Sequence, residues 1–152
     1  SKNKEAMDYE TLKLENMIQE IRSCCEERDE AEARRFGLPF GEIELLKLLG
    51  EDRYATVTGL SYKLGVAKSR VTRLFSGLLK KGYVYQTEDP EDGRVKLIGL
   101  TSEGREILKR IREYERGVYE RLSAYIGEED RPNILKALDL LRMAMEKVKR
   151  EL

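Results

Sequence analysis

Residues 89–105 read DPEDGRVKLIGLTSEGR, and this stretch decides the fold. Its first five residues are rich in Asp, Pro and Gly, the residue types that form tight turns. Residues 94–100 alternate polar and apolar side chains at first, which is typical of a strand, and residues 83–87 before the turn have strand composition. The pattern predicts one β-hairpin, followed by a helix that Thr101 or Ser102 can cap.

Two short helices are predicted just before the hairpin. Thr58 is expected to cap the first, because its hydroxyl can accept a hydrogen bond from a backbone N–H of the first turn. Gly65 can end that helix in the left-handed conformation, and the second helix extends from about Lys68 to Lys81. Two helices joined by a tight turn and followed by a hairpin have the order of a winged helix-turn-helix. The side chains expected to point inward from the second helix are Val71, Leu74, Phe75, Leu78 and Leu79.

Longer helices are predicted on both sides of this segment, where apolar residues recur at steps of three and four. They cover residues 5–35, 41–49 and 102–126, and a last helix begins near Asn133. The predicted fold class is therefore mainly α with a small β-hairpin wing. The chain of 152 residues fits a single domain, 1–152, because domains typically hold about 100–200 residues.

Charge is distributed unevenly along the chain. The whole chain carries 29 basic and 29 acidic residues, so its net charge is zero. Residues 53–87, the acid-free segment, contain seven Lys or Arg and no Asp or Glu, which leaves 22 basic against 29 acidic residues elsewhere, a net charge of −7. Such a segment is the electrostatic pattern expected for contact with phosphates. The alternative is a solvated basic face without a partner.

The second short helix begins inside the acid-free segment, and its first residues are candidates for reading DNA bases. When such a helix enters the major groove, the residues near its N-terminus reach the base edges. Arg can bind guanine O6 and N7 together, whereas Ser and Thr contact bases or phosphates less selectively. The candidate DNA-binding residues of this helix are Lys68, Ser69, Arg70, Thr72 and Arg73.

Two stretches of the chain resemble the MarR (multiple antibiotic resistance regulator) family. Residues 89–105 are similar to the family's wing, a DP-x-D-x-R hairpin that leads into an L-T-x-x-G-R helix start. Residues 68–74, KSRVTRL, resemble its recognition helix. The resemblance follows the whole chain in order and length, but only residues 56–105 are specific. Gly93 departs from the pattern, since many members have Arg there, and this leaves the wing tip with one cation fewer.

The resemblance implies a transcriptional regulator that binds double-stranded DNA, in which Arg94 enters the minor groove and Asp92 holds it in place. This role is physically favourable for Arg94, because a narrow minor groove concentrates negative potential and attracts an inserted Arg. A carboxylate two residues away can orient the guanidinium through a fork-shaped pair. The alternative is a surface turn with an incidental ion pair, which would stabilise the fold by about 0–1 kcal/mol.

The helices outside the winged helix-turn-helix carry longer apolar stripes than this lobe needs. We expect residues 41–101 to form the DNA-binding lobe, and residues 5–35 and 102–152 to form a helical dimerisation region, as the resemblance also implies. A homodimer would place two recognition helices one turn of DNA apart, roughly 34–36 Å, and would read a near-palindromic operator. The alternative is that these stripes only complete the core of a monomer.

Other kinds of site find little support in the sequence. The chain has no His, which removes the commonest imidazole ligand for metals and the base of Ser-His-Asp or Cys-His catalysis. No phosphate-binding loop or dinucleotide-binding Gly pattern is present. We therefore expect no catalytic residues, no metal and no cofactor. Cys24 and Cys25 could sense oxidants, as some members of the family do, but buried cysteines more often act as small hydrophobic residues.

The resemblance also implies a repressor that a small aromatic ligand releases from DNA. No ligand-binding residue is assigned, because tyrosines at helical spacing are more often core residues. No apolar run approaches the ~18 residues that cross a bilayer, and no secretory signal is seen, so we expect a cytoplasmic protein without a membrane partner. The alternative function is a winged-helix protein-interaction module whose basic helix docks on an acidic partner. The tyrosines that could line a ligand site are Tyr9, Tyr54, Tyr114, Tyr119 and Tyr125.

Overall fold

Six helices and two strands make up the computed structural model, which describes residues 1–152. Their order and the predicted fold class, mainly α with a β-hairpin wing, are confirmed. None of the helices combines the length and the apolar character needed to cross a membrane. The elements are α1 (Lys2–Phe36), α2 (Phe40–Leu49), α3 (Val57–Leu64), α4 (Lys68–Lys80), β1 (Val84–Glu88), β2 (Lys96–Leu100), α5 (Ser102–Ile126) and α6 (Arg131–Glu151).

Two compact units are defined by the contacts within the chain. The first covers Ser1–Lys109 and contains α1 to α4, the hairpin and the start of α5. The second covers Arg110–Leu152 and contains the rest of α5 and α6. The predicted lobe, 41–101, lies entirely within the first unit, whereas its division from a dimerisation region stays a prediction.

Helix α1 begins three residues earlier than predicted. The Ser1 hydroxyl accepts a hydrogen bond from the Lys4 N–H at 3.3 Å, which satisfies one of the orphan donors of the first turn. Gly37 ends the helix with a φ of 63°, a left-handed conformation that glycine adopts without steric cost. The apolar side chains of its N-terminal half, Met7, Leu12, Leu14, Met17 and Ile21, are all at least half exposed.

The N-cap of α3 is Thr56, so the prediction of Thr58 is wrong. Thr56 is extended, with a φ of −108°, and its hydroxyl accepts a hydrogen bond from the Gly59 N–H at 3.0 Å. A cap must precede the helix in extended conformation, whereas Thr58 already lies within the first turn. Gly65 ends α3 in the left-handed conformation, with a φ of 67°, as the sequence predicts.

The wing is an antiparallel hairpin of β1 and β2 that pairs Val84 with Leu100. A third short segment joins its edge, because Ala55 and Ile98 exchange two backbone hydrogen bonds of 2.9 and 2.8 Å. Ala55 lies in the loop between α2 and α3, so this bridge connects the wing to the helix-turn-helix. Backbone hydrogen bonds thereby join the loop before α3 to the wing.

The strand bounds predicted from the sequence, 83–87 and 94–100, are wrong by one and two residues. The Asp89 N–H donates to the Val95 carbonyl, and the Val95 N–H donates to the Asp92 carbonyl, each at 3.0 Å. These local bonds close a turn around the wing tip and take its backbone out of the strand ladder. The second strand therefore begins only after this turn.

A side-chain cap begins α5, and a proline lies in the first turn of α6. The Thr101 hydroxyl accepts a hydrogen bond from the Gly104 N–H at 3.0 Å, so Thr101 rather than Ser102 caps α5. Helix α6 begins at Arg131 and includes Pro132 in its first turn, where the missing proline N–H has no helical partner to lose. The predicted start at Asn133 is therefore two residues late.

The core of the first unit lies between α2, α3, α4 and the hairpin. Leu79 was expected to point inward but is 48% exposed. The buried residues of α4 are spaced four and three apart, and Leu79 lies at the edge of the face that they form. The fully or almost fully buried side chains of this core are Ile43, Leu45, Leu46, Leu49, Leu60, Val71, Leu78, Val84 and Ile98.

Candidate nucleic-acid interface

Helix α4 presents a polar face to solvent. Val71, Phe75 and Leu78 are buried on its inner side, so they fix which side of the helix remains free. All five residues predicted to contact DNA on this helix are exposed, and they occupy its first two turns. Those residues are Lys68, Ser69, Arg70, Thr72 and Arg73.

The start of α4 also has free backbone donors. Its N-cap, Ala67, has an extended backbone and no side chain that can accept a hydrogen bond from the first turn. The Arg70 N–H is the first to donate back to the Ala67 carbonyl, at 3.0 Å. The N–H groups of Lys68 and Ser69 therefore stay available, and such groups at a helix N-terminus favour a phosphate or another anion.

Not all cations of the acid-free segment are free to bind a partner. Two of the seven cations in the acid-free segment bind carboxylates from outside it: Lys63 binds Asp52 at 2.9 Å and Lys81 binds Glu42 at 2.8 Å. The hydrogen bond and the charge of Asp52 raise the pKa of Lys63. The cations of the candidate set on α4 are different, because none of them forms an ion pair with a carboxylate of the chain. They are Lys68, Arg70 and Arg73.

At the wing tip, Asp92 and Arg94 form the predicted ion pair. The guanidinium donates from Nε to Asp92 Oδ1 at 3.1 Å and from Nη2 to Oδ2 at 3.3 Å, which is the fork-shaped geometry. The Arg94 backbone N–H donates to the same carboxylate at 3.0 Å. The side-chain hydrogen bond and then the backbone bond lower the pKa of Asp92. The Arg94 side chain is 92% exposed, so the pair leaves it accessible to a partner.

A second ion pair stiffens the hairpin below its tip. Lys96 donates from Nζ to Glu88 Oε1 at 2.9 Å across the two strands. This hydrogen bond, followed by the charge of Lys96, lowers the pKa of Glu88. Opposite charges that face each other in a hairpin favour its register. The ends of the strands are therefore held where the turn begins.

The base of the wing is built around Gly99. Tyr85 pairs with Gly99 in the sheet, and a Cβ atom at Gly99 would lie 2.7 Å from the Tyr85 ring and hydroxyl. Tyr85 thus occupies the space of the absent side chain. Partial burial, followed by the interaction with the Tyr54 hydroxyl, raises the pKa of Tyr85. The Arg53 guanidinium lies 5.5 Å from the centre of the Tyr54 ring.

A protein-family model described as the MarR family matches residues 36–95. The matched stretch contains the helix-turn-helix, α4 and the wing tip with its ion pair. Over this stretch the chain is similar to the MarR family. This match confirms the resemblance stated from residues 68–74 and 89–105.

Proteins of similar sequence are named as regulators. The uncharacterized HTH-type transcriptional regulator YdgJ of Bacillus subtilis is 28% identical over 70% of this chain and 65% of its own length. The HTH-type transcriptional repressor YetL of the same organism is 30% identical over 67% of this chain and 62% of its own length. The chain thus aligns with slightly less than two thirds of each of these two relatives.

A solved structure of similar fold is that of Streptococcus pneumoniae FabT in complex with DNA. Its TM-score with this chain is 0.75, with 22% identity, and the match covers 88% of this chain and 98% of FabT. At this identity the likeness shows that the two chains share a fold. Almost the whole of FabT is matched, so the fold extends well beyond the winged helix-turn-helix.

One residue of the exposed face of α4 was missed by the sequence analysis. Ser76 is exposed and lies three and four residues beyond Arg73 and Thr72, so it continues their line along the helix. The helical spacing alone could have identified it. Ser76 lies beyond the first turns of the helix, whereas base contacts concentrate near the N-terminus of a recognition helix.

The two cysteines of the chain lie on α1, apart from α4 and the wing in sequence. Cys24 is exposed and Cys25 is half-buried, and both are free thiols. No group of three or more Cys, Asp or Glu side chains is placed to hold a metal ion. Of the tyrosines considered for a ligand site, Tyr54 lies beside Tyr85, which the sequence analysis did not name.

Proposed function

We propose that this chain is a homodimeric transcriptional regulator of the MarR family that binds double-stranded DNA of a specific, near-palindromic sequence. The observation that carries the proposal is the exposed face of α4, whose cations have no carboxylate partner. Because the rest of the chain carries excess negative charge, this face is the favourable place for a polyanion to approach. Phosphate contacts fix position on DNA, and base contacts fix sequence, so one face must provide both.

In this proposal the residues of α4 contact the major groove of DNA, and those of the wing contact the minor groove. Arg70 and Arg73, with Ser69 and Thr72, contact base edges and phosphates in the major groove, and Lys68 contacts the backbone. Arg94 enters the minor groove, oriented by Asp92. The support for the wing role is the exposure of Arg94 together with the fork-shaped pair, which orders the guanidinium before it meets DNA.

The proposed homodimer is supported by apolar side chains that have no cover within a single chain. Helix α6 has 21 residues and buries none of them. Helix α1 exposes a separate apolar set over its first half. Exposed apolar surface of this extent is typical of a surface that binds another chain. The exposed apolar residues of α6 are Leu135, Leu138, Leu140, Met143, Met145 and Val148.

Repression, cytoplasmic location and release from DNA by a small aromatic ligand belong to the same proposal. Their support is the similarity to the family and the name of YetL, a repressor. No residue is assigned to ligand binding. Displacement of the protein from DNA by aromatic carboxylates, measured by fluorescence anisotropy, tests the release directly.

The deciding experiment is a binding titration with the DNA upstream of the protein's own gene, against scrambled DNA of equal length and composition. Both titrations are repeated at several salt concentrations, because each neutralised phosphate contributes about −0.9 to the slope of log affinity against log salt. We expect tight binding to the upstream DNA, a steep slope, and two protein chains per duplex. Equal, weak binding to both DNAs would reject sequence-specific regulation and favour the alternative function, a winged helix that docks on an acidic protein.

A further inference from the structure

Helices α2 and α4 approach each other closely at two glycines. Gly77 of α4 faces Glu42 of α2, and a Cβ atom at Gly77 would lie 2.9 Å from Glu42 Oε2. Gly41 of α2 faces α4, and a Cβ atom there would lie 2.9 Å from Leu74 Cδ2 and 3.2 Å from Arg70 Nη2. Each glycine thus removes the side chain that would keep the two helices apart. Close contacts at these two glycines therefore set the position of α4 against α2, at the point where the two helices cross.

A buried charge lies at this crossing. The Glu42 side chain is only 6% exposed, and its Oε1 accepts a hydrogen bond from Lys81 Nζ at 2.8 Å. Lys81 is the C-cap of α4. A carboxylate removed from water needs a partner, so Glu42 favours the one placement of α4 that brings Lys81 to it. The pair connects residues 39 positions apart in the chain, so it acts on tertiary structure rather than on a local turn.

Such a pair affects geometry more than stability. The cost of removing two charges from water offsets most of their attraction, and well-packed apolar residues often replace a buried pair without loss of stability. The pair is strongly directional, however, because the lysine must reach one carboxylate oxygen. A rotation or slide of α4 that apolar side chains would tolerate breaks this hydrogen bond.

We propose that Glu42 is a positioning residue for DNA reading: its bond to Lys81, with the clearance at Gly77, fixes the rotation of α4 and so aims Arg70 and Arg73. The inference rests on the proposed function, since it concerns how sequence is read once DNA is bound. It also assigns Lys81 a structural part. Although Lys81 belongs to the acid-free segment, its ammonium is engaged by Glu42 and makes no phosphate contact.

The test uses the double variant E42M/K81M, which removes both charges and leaves neither of them buried alone. Its matched control is K80M, which removes the neighbouring exposed lysine, a residue without a carboxylate partner. Affinities for the upstream DNA and for scrambled DNA are measured over a range of salt, together with thermal unfolding. A purely structural role for the pair would change the unfolding temperature but not the ratio of the two affinities.

We expect E42M/K81M to melt near the parent's temperature and to keep its affinity and salt slope on scrambled DNA. Its affinity for the upstream DNA should fall about tenfold, near the lower end of what one misaligned base contact costs. The K80M control should keep the parent's ratio of affinities. An unchanged ratio in E42M/K81M overturns the inference, and so does a salt slope smaller by about 0.9, because Lys81 would then neutralise a phosphate.

The single variant E42Q keeps the inference testable if the double variant does not fold. Glutamine preserves the length of the side chain and an oxygen that can accept from Lys81, but it lacks the charge. A smaller loss of the affinity ratio is expected, and an unchanged ratio again overturns the inference. If the parent itself does not distinguish the two DNAs, the proposed function fails and the inference fails with it. If the parent and the variant distinguish the upstream DNA from the scrambled DNA equally well, the inference is rejected and the proposed function stands.

Discussion

Asp92 binds Arg94 through three hydrogen bonds, two from the guanidinium and one from the backbone N–H. The backbone bond fixes the turn, and the two side-chain bonds fix the direction in which the guanidinium projects. The Arg94 side chain is therefore partly ordered before it meets a partner, which lowers the entropic cost of binding. The wing tip thus presents a cation whose position follows from the fold of the turn.

The substitution Arg94→Ala is expected to weaken binding to the upstream DNA by about 1–3 kcal/mol. The side chain is exposed, so its loss should leave the far-ultraviolet circular dichroism and the thermal unfolding unchanged. Fluorescence anisotropy measures the affinity, with Arg150→Ala, a change of an exposed arginine on α6, as the control. Equal affinity of Arg94→Ala and the parent would show that the wing does not contact DNA.

The pKa of Asp92 is expected to lie below its ordinary value of 3.8, because hydrogen bonds from Arg94 favour the charged form. A group whose pKa is lowered by folding stabilises the fold above its unfolded pKa, and this contribution is lost as pH falls through the folded pKa. The wing tip should therefore loosen only in acid below that ordinary value. Carboxyl carbon chemical shifts, followed by NMR against pH, measure this pKa directly.

The variant Arg94→Ala supplies the control for that titration. Without the guanidinium, the pKa of Asp92 should move back towards its ordinary value, while that of Glu88, which is lowered by Lys96, should stay low. An Asp92 titration that is the same in both proteins would mean that the ion pair is not populated in solution.

The substitution Thr56→Ala should destabilise the protein by about 1 kcal/mol, because it removes the side chain that caps α3. Thr58→Ala is the matched control, since it makes the same chemical change two residues later, inside the helix, where alanine is favourable. Urea denaturation followed by circular dichroism compares the two free energies of unfolding. If Thr58→Ala proved less stable than Thr56→Ala, Thr58 rather than Thr56 would be the cap of α3.

The substitution Gly104→Ala should lower stability by roughly 1–3 kcal/mol or more, the cost of forcing extra atoms into a packed site. A Cβ atom at Gly104 would collide with the Tyr83 carbonyl oxygen, and a backbone atom cannot turn aside as a flexible side chain can. Gly117→Ala, in the same helix, has nothing within 4 Å of the added atom and should be neutral or stabilising by up to about 1 kcal/mol. Thermal unfolding of the two variants distinguishes them.

Local sequence signals predicted most of the elements correctly. Helices end at Gly37 and Gly65 because glycine adopts the left-handed conformation that closes a helix, and this requires only neighbouring residues. The wing pair was predictable for the same reason, since Asp92 and Arg94 are two residues apart in one turn. The element order and the exposed polar face of α4 follow from patterns with a range of only a few residues.

What the sequence by itself determined is the winged helix-turn-helix, the resemblance to the MarR family, and the five exposed candidates on α4. What only the tertiary structure decided is which cations of the acid-free segment remain unpaired. Lys63 and Lys81 are bound by Asp52 and Glu42, which lie 11 and 39 residues away. A charge pattern counts residues along the chain, whereas an ion pair depends on distance in space, and that distance is set by how α2, α3 and α4 pack.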